Sequence, residues 1–186
     1  VWDDALVQYG QKVIELRREF LSDLSEIISK IHPELSGGTE KLEISYEANV
    51  TAEKFMDSLQ RSHDQEMKQH LTLVGPHRDD IGFRINNQDI RKYGSQGQQR
   101  TAALALKLSE IELVYRRIDD HPILLLDDVL SELDSKRQTF LLNLLKDTQN
   151  IITCTGLDDF VHHRFHIDDL FHVQNGTITK NEIELH

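Results

Sequence analysis

Along residues 3–31 the apolar positions Leu6, Val13, Ile14, Leu16, Phe20, Leu21, Leu24, Ile27, Ile28 and Ile31 recur every three or four residues. That spacing predicts one long amphipathic helix, closed by Pro33 and the Gly37-Gly38 pair. The pattern stops after about four heptads, so a packing helix explains it better than a coiled coil. Lys41 to Glu47 alternates through Leu42, Ile44 and Tyr46, as a half-buried strand does. A second helix is predicted from Thr51, a candidate cap, to about Gln69, and its last turns from Arg61 are polar enough to be solvated. Ile81 to Ile85 reads as a strand, with Asn86-Asn87 as the turn that follows it. Residues 96–117 form the next predicted helix, apolar on most faces and therefore expected to be buried, with Arg116 and Arg117 at its C-terminal end. Ile123 to Leu126 is an aliphatic run suited to a strand buried on both faces of a parallel sheet. Another helix is expected over Ser135 to Lys146 and a third core strand over Asn150 to Thr155. Closing strands are expected over Phe165 to Val173 and around Ile178, turned at Asn175-Gly176.

Composition narrows the class. The 186 residues are 38% hydrophobic and 28% charged, ordinary values for a globular chain of one or two domains. No apolar run approaches the ~20 residues needed to cross a bilayer. The single cysteine, Cys154, excludes an intrachain disulfide, and its neighbours predict a buried strand thiol in a reducing compartment. The ten histidines show no paired metal-site spacing, and the adjacent His162 and His163 suit solvated positions. With 21 basic against 32 acidic residues, the net charge of -11 argues against sequence-independent DNA binding by this stretch alone. DNA contact would need a local basic patch, a further part of the protein or a second subunit.

The chemistry concentrates between Tyr93 and Asp134. Gly94-Ser95-Gln96-Gly97 is a glycine-bearing turn leading into the helix from residue 96, whose free N–H groups and positive dipole end suit a phosphate oxygen. The aliphatic run from Ile123 ends in Asp127 and Asp128, at the carboxyl end of a strand, where α/β folds place their ligands. Taken singly, a serine before a helix is most often a structural cap, and an Asp-Asp pair is usually just a strand end. A further cluster, Gly75, Pro76, His77, Arg78, Asp79 and Asp80, is dense in polar groups for a turn between apolar strands. Either it is a tight loop in which Arg78 pairs with Asp79 or Asp80, or it has a functional role. A phosphate-binding P-loop, G-x-x-x-x-G-K-[ST], is missing, because none of the nine glycines is followed by lysine.

The order of these pieces resembles the ABC ATPase superfamily. Gly94 to Arg100 is similar to its signature, Ile123 to Asp128 to its Walker B strand, and Ser131 to Asp134 to its D-loop. Within it, V-G-P-H-R-D-D-I, G-S-Q-G-Q-Q-R-T-A-A-L-A-L-K-L and L-L-L-D-D-V-L-S-E-L-D resemble the RecF family of recombination-mediator ATPases, relatives of the SMC-like heads. Two features fit RecF better than a transporter: Asp-Asp rather than Asp-Glu at the Walker B end, and Thr155 at the place of the transporter switch histidine.

The resemblance implies an α/β fold, the C-terminal part of a P-loop ATPase head of the ABC/SMC-like kind with an inserted helical lobe. Residues 1–70 would be the lobe, and residues 71–186 the signature, Walker B and D-loop part of the head. The P-loop would precede the chain, so the chain is expected to be a piece of a longer protein and inactive alone as an ATPase. The implied cofactors are ATP and Mg²⁺. Asp127 would hold the metal, and Asp128 would orient or deprotonate the attacking water. Ser95, Gln96, Gly97 and Gln98 would bind ATP held by the other subunit of a homodimer, with the D-loop residues Ser131 and Asp134 at that interface and Thr155 as the switch residue. The implied partners are gapped or junction DNA, RecR, RecO and, indirectly, RecA, in a cytoplasmic, nucleoid-associated repair and replication-restart role that includes the SOS response. Hydrolysis is expected to be slow. Two other readings are another ABC-class head, of the SMC-like or transporter kind, and a non-enzymatic partner-binding lobe.

Overall fold

The computed structural model describes residues 2–155 and 167–181. They divide between two compact units, Val1–Pro122 and Ile123–His186.

The first unit is built on helix α1, Trp2–Ser36. Its buried stripe runs through Val7, Ile14, Leu21, Leu24, Ile27, Ile28, Ile31 and Leu35, whereas Leu6, Val13, Leu16 and Phe20, also expected in it, are exposed. Pro33 lies inside the helix rather than ending it. Its fixed φ is already helical, so the ring forfeits one N–H bond, and burial of His32 and Leu35 holds the last turn on the core. The stop is made by Gly37 and Gly38, with φ of 73° and 77°, and by a 2.8 Å bond from the Gly38 N–H to the Pro33 carbonyl.

Strand β1, Leu42–Glu47, pairs antiparallel with β2, Asp80–Ile85, which pairs in turn with the two-residue β3, Gln88–Asp89. Asn86 and Asn87 both have positive φ, the geometry a two-residue hairpin needs. Between β1 and β2 come a 3₁₀ turn, Ala52–Lys54, and helix α2, Phe55–Gln69. Thr51 stands before that 3₁₀ turn but its hydroxyl makes no capping bond, so it is not the helix cap expected of it. Val7, Ile14, Val50, Ala52, Phe55 and Leu59 close one core cluster. Gly10 leaves room for Phe55 there, since a Cβ would fall 2.3 Å from the ring.

The short helix α3, Ile90–Tyr93, and the long helix α4, Gln96–Ile118, complete this unit. The buried side of α4 is a stripe of Thr101, Ala102, Ala105, Leu108, Ser109 and Leu113, narrower than the all-round burial expected from its composition. Helix α4 packs along α1, and Arg117–Asp23 (2.8 Å) and Arg116–Glu26 (3.6 Å) tie its C-terminal end to it. That packing puts residues 1–70 and the start of α4 in one unit.

In the second unit β4, Leu124–Asp127, pairs parallel with β5, Asn150–Thr153, joined through helix α5, Ser135–Leu144. Among the described residues its buried apolar side chains are Leu130, Leu141, Leu142 and Leu145. The expected burial of β4 on both faces is not found. Leu125 is 74% exposed and its cross-strand partner Ile151 56%, because β4 and β5 form a two-stranded sheet among the described residues. Cys154 is partly exposed just beyond β5, not a buried strand thiol. Strands β6, Leu170–Gln174, and β7, Thr177–Asn181, form the hairpin predicted around Asn175-Gly176. His162, His163 and Phe165 lie outside the described residues. No helix among the described residues is long and apolar enough to cross a membrane.

Candidate nucleotide site

The turn before α4 is closed on both sides. Gly94 packs so tightly that a Cβ would meet the Ile90 carbonyl oxygen at 2.5 Å, while the Gln99 side chain donates to the Ile90 and Gly94 carbonyls at 3.0 and 3.3 Å. Ser95 is the N-cap of α4. Its Oγ accepts the Gln98 N–H at 3.2 Å, and Gln98 Oε1 accepts the Ser95 N–H at 2.9 Å, a complete capping box. The Gln98 amide is thus turned inward, and its Nε2 donates to Glu40 Oε1 at 2.9 Å. Three groups remain outward: the Ser95 hydroxyl proton and the N–H groups of Gln96 and Gly97, which have no intrahelical acceptor in a first turn. Gly97 opens the approach to them, since a Cβ there would meet nothing nearer than Ser95 Oγ at 3.9 Å. Donors of this kind at a positive helix end fit a phosphate oxygen.

In the second unit Asp127 and Asp128 emerge, exposed, at the carboxyl end of β4. Asp128 turns the chain with φ 51°, and its N–H donates to both the carbonyl and the hydroxyl of Thr153, at 3.2 and 3.1 Å. The Thr153 hydroxyl donates onward to Asp127 Oδ1. Thr153 is not a residue the sequence singles out; the resemblance implies Thr155, which is exposed and lies beyond β5. The parallel register opposes Asp127 to Thr153 and was the available signal. Ser131 Oγ donates to the Asp128 carbonyl at 2.8 Å, and Asp134 caps α5 by accepting the Arg137 N–H at 3.1 Å. Ser131 and Asp134 therefore shape the chain leaving the acid pair.

Two exposed carboxylates with oxygen donors only suit Mg²⁺. No group of three or more His, Cys, Asp or Glu that could cage a metal occurs among the described residues.

Residues 75–80 form a turn closed by many hydrogen bonds. Gly75 has φ 136° and donates its N–H to Asn49 Oδ1 at 3.1 Å. Pro76 opens a 3₁₀ turn through Arg78. His77 and Arg78 both reach back to the Thr72 carbonyl, so Arg78 pairs with neither of the acids expected for it. Asp79, its side chain 3% exposed, instead accepts from Arg17 (3.1 Å), the Asn49 N–H (2.9 Å) and the Tyr46 hydroxyl. Burial, then the hydrogen bond to this carboxylate, pushes the Tyr46 hydroxyl up to about 12. Asp80 takes a hydrogen bond from Arg91, and this, with the Ile81 N–H, holds its carboxyl below the usual range.

The fold is that of part of an ABC- and SMC-like ATPase head. A solved SMC ATPase structure superposes with a TM-score of 0.54 at 14% identity over 92% of this chain and 89% of that one, a likeness of fold alone. A solved RecF-ATP structure, of the recombination mediator protein of the RecFOR pathway, matches with a TM-score of 0.83 at 38% identity over 97% of this chain and 49% of that one. The DNA replication and repair protein RecF of Agathobacter rectalis is 57% identical over 96% of this chain and 49% of its own length. No family model matches. The chain belongs to the RecF family, as its C-terminal portion, and spans about half the length of the curated relatives it matches.

Proposed function

We propose that this chain is the signature-bearing part of an ATP-dependent, DNA-binding repair protein of the RecF type. The protein would bind gapped or junction DNA as a homodimer closed by ATP and, with RecO and RecR, promote RecA loading in recombinational repair and replication restart. The observation that carries this reading is the turn at Ser95. Its capping box leaves one hydroxyl and two N–H groups facing outward over a glycine, in a chain 57% identical to a RecF protein.

In the proposed mechanism Ser95, Gln96 and Gly97 bind the γ-phosphate of ATP held by the other subunit, so nucleotide joins the dimer. Gln98, whose amide is committed to the Ser95 N–H and Glu40, contributes by holding the turn rather than by reaching the phosphate with its side chain. Asp127 would hold Mg²⁺, and the ion would supply charge neutralisation at the phosphates. Asp128 orients the attacking water or accepts its proton. Thr153 keeps Asp127 Oδ1 fixed so that its other oxygen faces outward. Ser131 and Asp134 set the path of the D-loop, and Thr155 is proposed as the switch residue. The division into a lobe (1–70) and a head part (71–186) belongs to the same proposal, as do a slow ATPase rate, a cytoplasmic, nucleoid-associated location and an SOS-linked role.

The test is ATP-dependent binding of the full-length protein to a gapped duplex. The reading expects ATP to tighten binding to gapped over intact duplex, and Asp127→Ala to abolish the ATP effect. Equal binding with and without ATP would defeat it.

A further inference from the structure

The geometry points to Glu40 as a positioning residue for the nucleotide-binding turn at Ser95. The inference rests on the reading of that turn as a γ-phosphate site. Gln98 must present Oε1, not Nε2, to the Ser95 N–H for the capping box to exist. An amide can rotate by half a turn and exchange the two atoms at little intrinsic cost, so something must select the orientation. Glu40 does so. Its carboxylate is an acceptor only, and it meets Gln98 at 2.9 Å across 58 residues of sequence, so it admits the Nε2 end alone. With Nε2 fixed on Glu40, Oε1 falls on Ser95, and the outward groups of Ser95, Gln96 and Gly97 are set.

The selector is itself held. Glu40 lies in the loop between α1 and β1, strapped on one side by the Gly38 N–H on the Pro33 carbonyl and the Thr39 hydroxyl on the Ser36 carbonyl. On the other side, Lys41 exchanges two bonds of 3.1 Å with Asn86, from its N–H to Asn86 Oδ1 and from the Asn86 N–H to its carbonyl. Behind it, the fully buried His32 places Nε2 3.9 Å from Glu40 Oε2, and the Glu40 side chain is 22% exposed. A carboxylate beside a phosphate site opposes the anion. Glu40 therefore acts through Gln98 rather than on the ligand. Lobe helix, loop and signature turn thus form one line of contacts within the first unit, and a shift of the α1 C-terminus would be felt at Ser95.

The experiment uses the full-length protein and four variants: Glu40→Ala, Glu40→Gln, Gln98→Ala and the double Glu40→Ala/Gln98→Ala, with Ser95→Arg as reference. The readouts are the ATP concentration at half-maximal dimerisation, KM and kcat for DNA-stimulated turnover, and thermal melting. Loss of one partly buried hydrogen bond to a charged acceptor should raise the dimerisation midpoint and KM for Glu40→Ala about tenfold, with kcat within about twofold. Glu40→Gln keeps an acceptor but its amide also donates and no longer dictates the Gln98 orientation, so both values should fall between those of wild type and Glu40→Ala. The double variant should be no worse than Gln98→Ala, because both changes break the same bond. If Ser95→Arg abolishes dimerisation while Glu40→Ala matches wild type, or if the two changes add, the inference is overturned and the γ-phosphate reading survives. A fall in melting temperature with equal losses in KM and kcat for both Glu40 variants would also overturn it. If Ser95→Arg dimerises normally, the reading beneath the inference has failed.

Discussion

Replacing Asp79 by alanine tests whether the 75–80 cluster is a structural clamp. The carboxylate gathers Arg17 from α1, the Tyr46 hydroxyl from β1 and the Asn49 N–H from the loop that follows, with its own side chain 3% exposed. Alanine removes all three acceptor contacts at once. The Asn49 N–H and the half-exposed Arg17 regain water, so each should cost about 1 kcal/mol or less, whereas the part-buried Tyr46 hydroxyl loses a charged acceptor worth about 1.5–3 kcal/mol. With about 0.3–0.5 kcal/mol for each of the first two, the sum is about 2–4 kcal/mol. It should appear in hydrogen exchange of the full-length protein as roughly 30- to 700-fold faster exchange of amides in β1 and the adjoining turns of α1 that open with this unit. Arg78→Ala is the contrast. That side chain is exposed and holds a single carbonyl, Thr72, so exchange should change by less than about fivefold. Exchange in Asp79→Ala within about threefold of wild type, or a larger effect from Arg78→Ala, would refute the reasoning.

Tyr46 and Thr153 each give a further testable outcome. Tyr46 is pushed up to about 12 from 10.0, so the folded state favours its neutral form. The associated stability is present below pH 10 and lost as pH rises from about 10 towards 12; it is at most about 3 kcal/mol, and about 1 after solvent screening. Tyr46→Phe should flatten that alkaline loss in pH-dependent denaturation, and an unchanged slope would contradict it. Thr153→Val keeps the shape of the side chain but removes the hydroxyl that joins Asp127 Oδ1 to the Asp128 N–H, and should lower DNA-stimulated turnover about tenfold while ATP-dependent dimerisation persists. Wild-type turnover in that variant would show the hydroxyl to be dispensable.

Local patterns were legible because local physics makes them. The α1 stripe, the Asn86-Asn87 and Asn175-Gly176 turns and the start of α4 at Ser95 each depend on residues within a few positions of one another. What escaped depends on distant partners. Asp79 is set by Arg17 and Tyr46, 62 and 33 positions away, so the neighbouring Arg78 was the nearest pairing a sequence could offer. Glu40 and Gln98 meet across 58 positions, and Thr153 is known as a partner of Asp127 only once β4 and β5 are in register. Burial of β4 was over-read for a related reason. Four aliphatic residues give a strand its preference, but the faces it hides depend on what packs there, and Leu125 and Ile151 face outward among the described residues. Pro33 shows the opposite error, a local rule outweighed by the buried last turn around it.

The central claim is that Ser95 and Asp128 belong to one nucleotide site completed by two subunits. Light scattering of the full-length protein with ATP, alongside DNA-stimulated turnover, compares wild type with Ser95→Arg and Asp128→Asn. The account predicts that Ser95→Arg abolishes dimerisation, whereas Asp128→Asn keeps or strengthens the dimer and stops turnover. Dimerisation and hydrolysis like wild type in both variants would mean that the turn and the acid pair are structural, and would contradict the account.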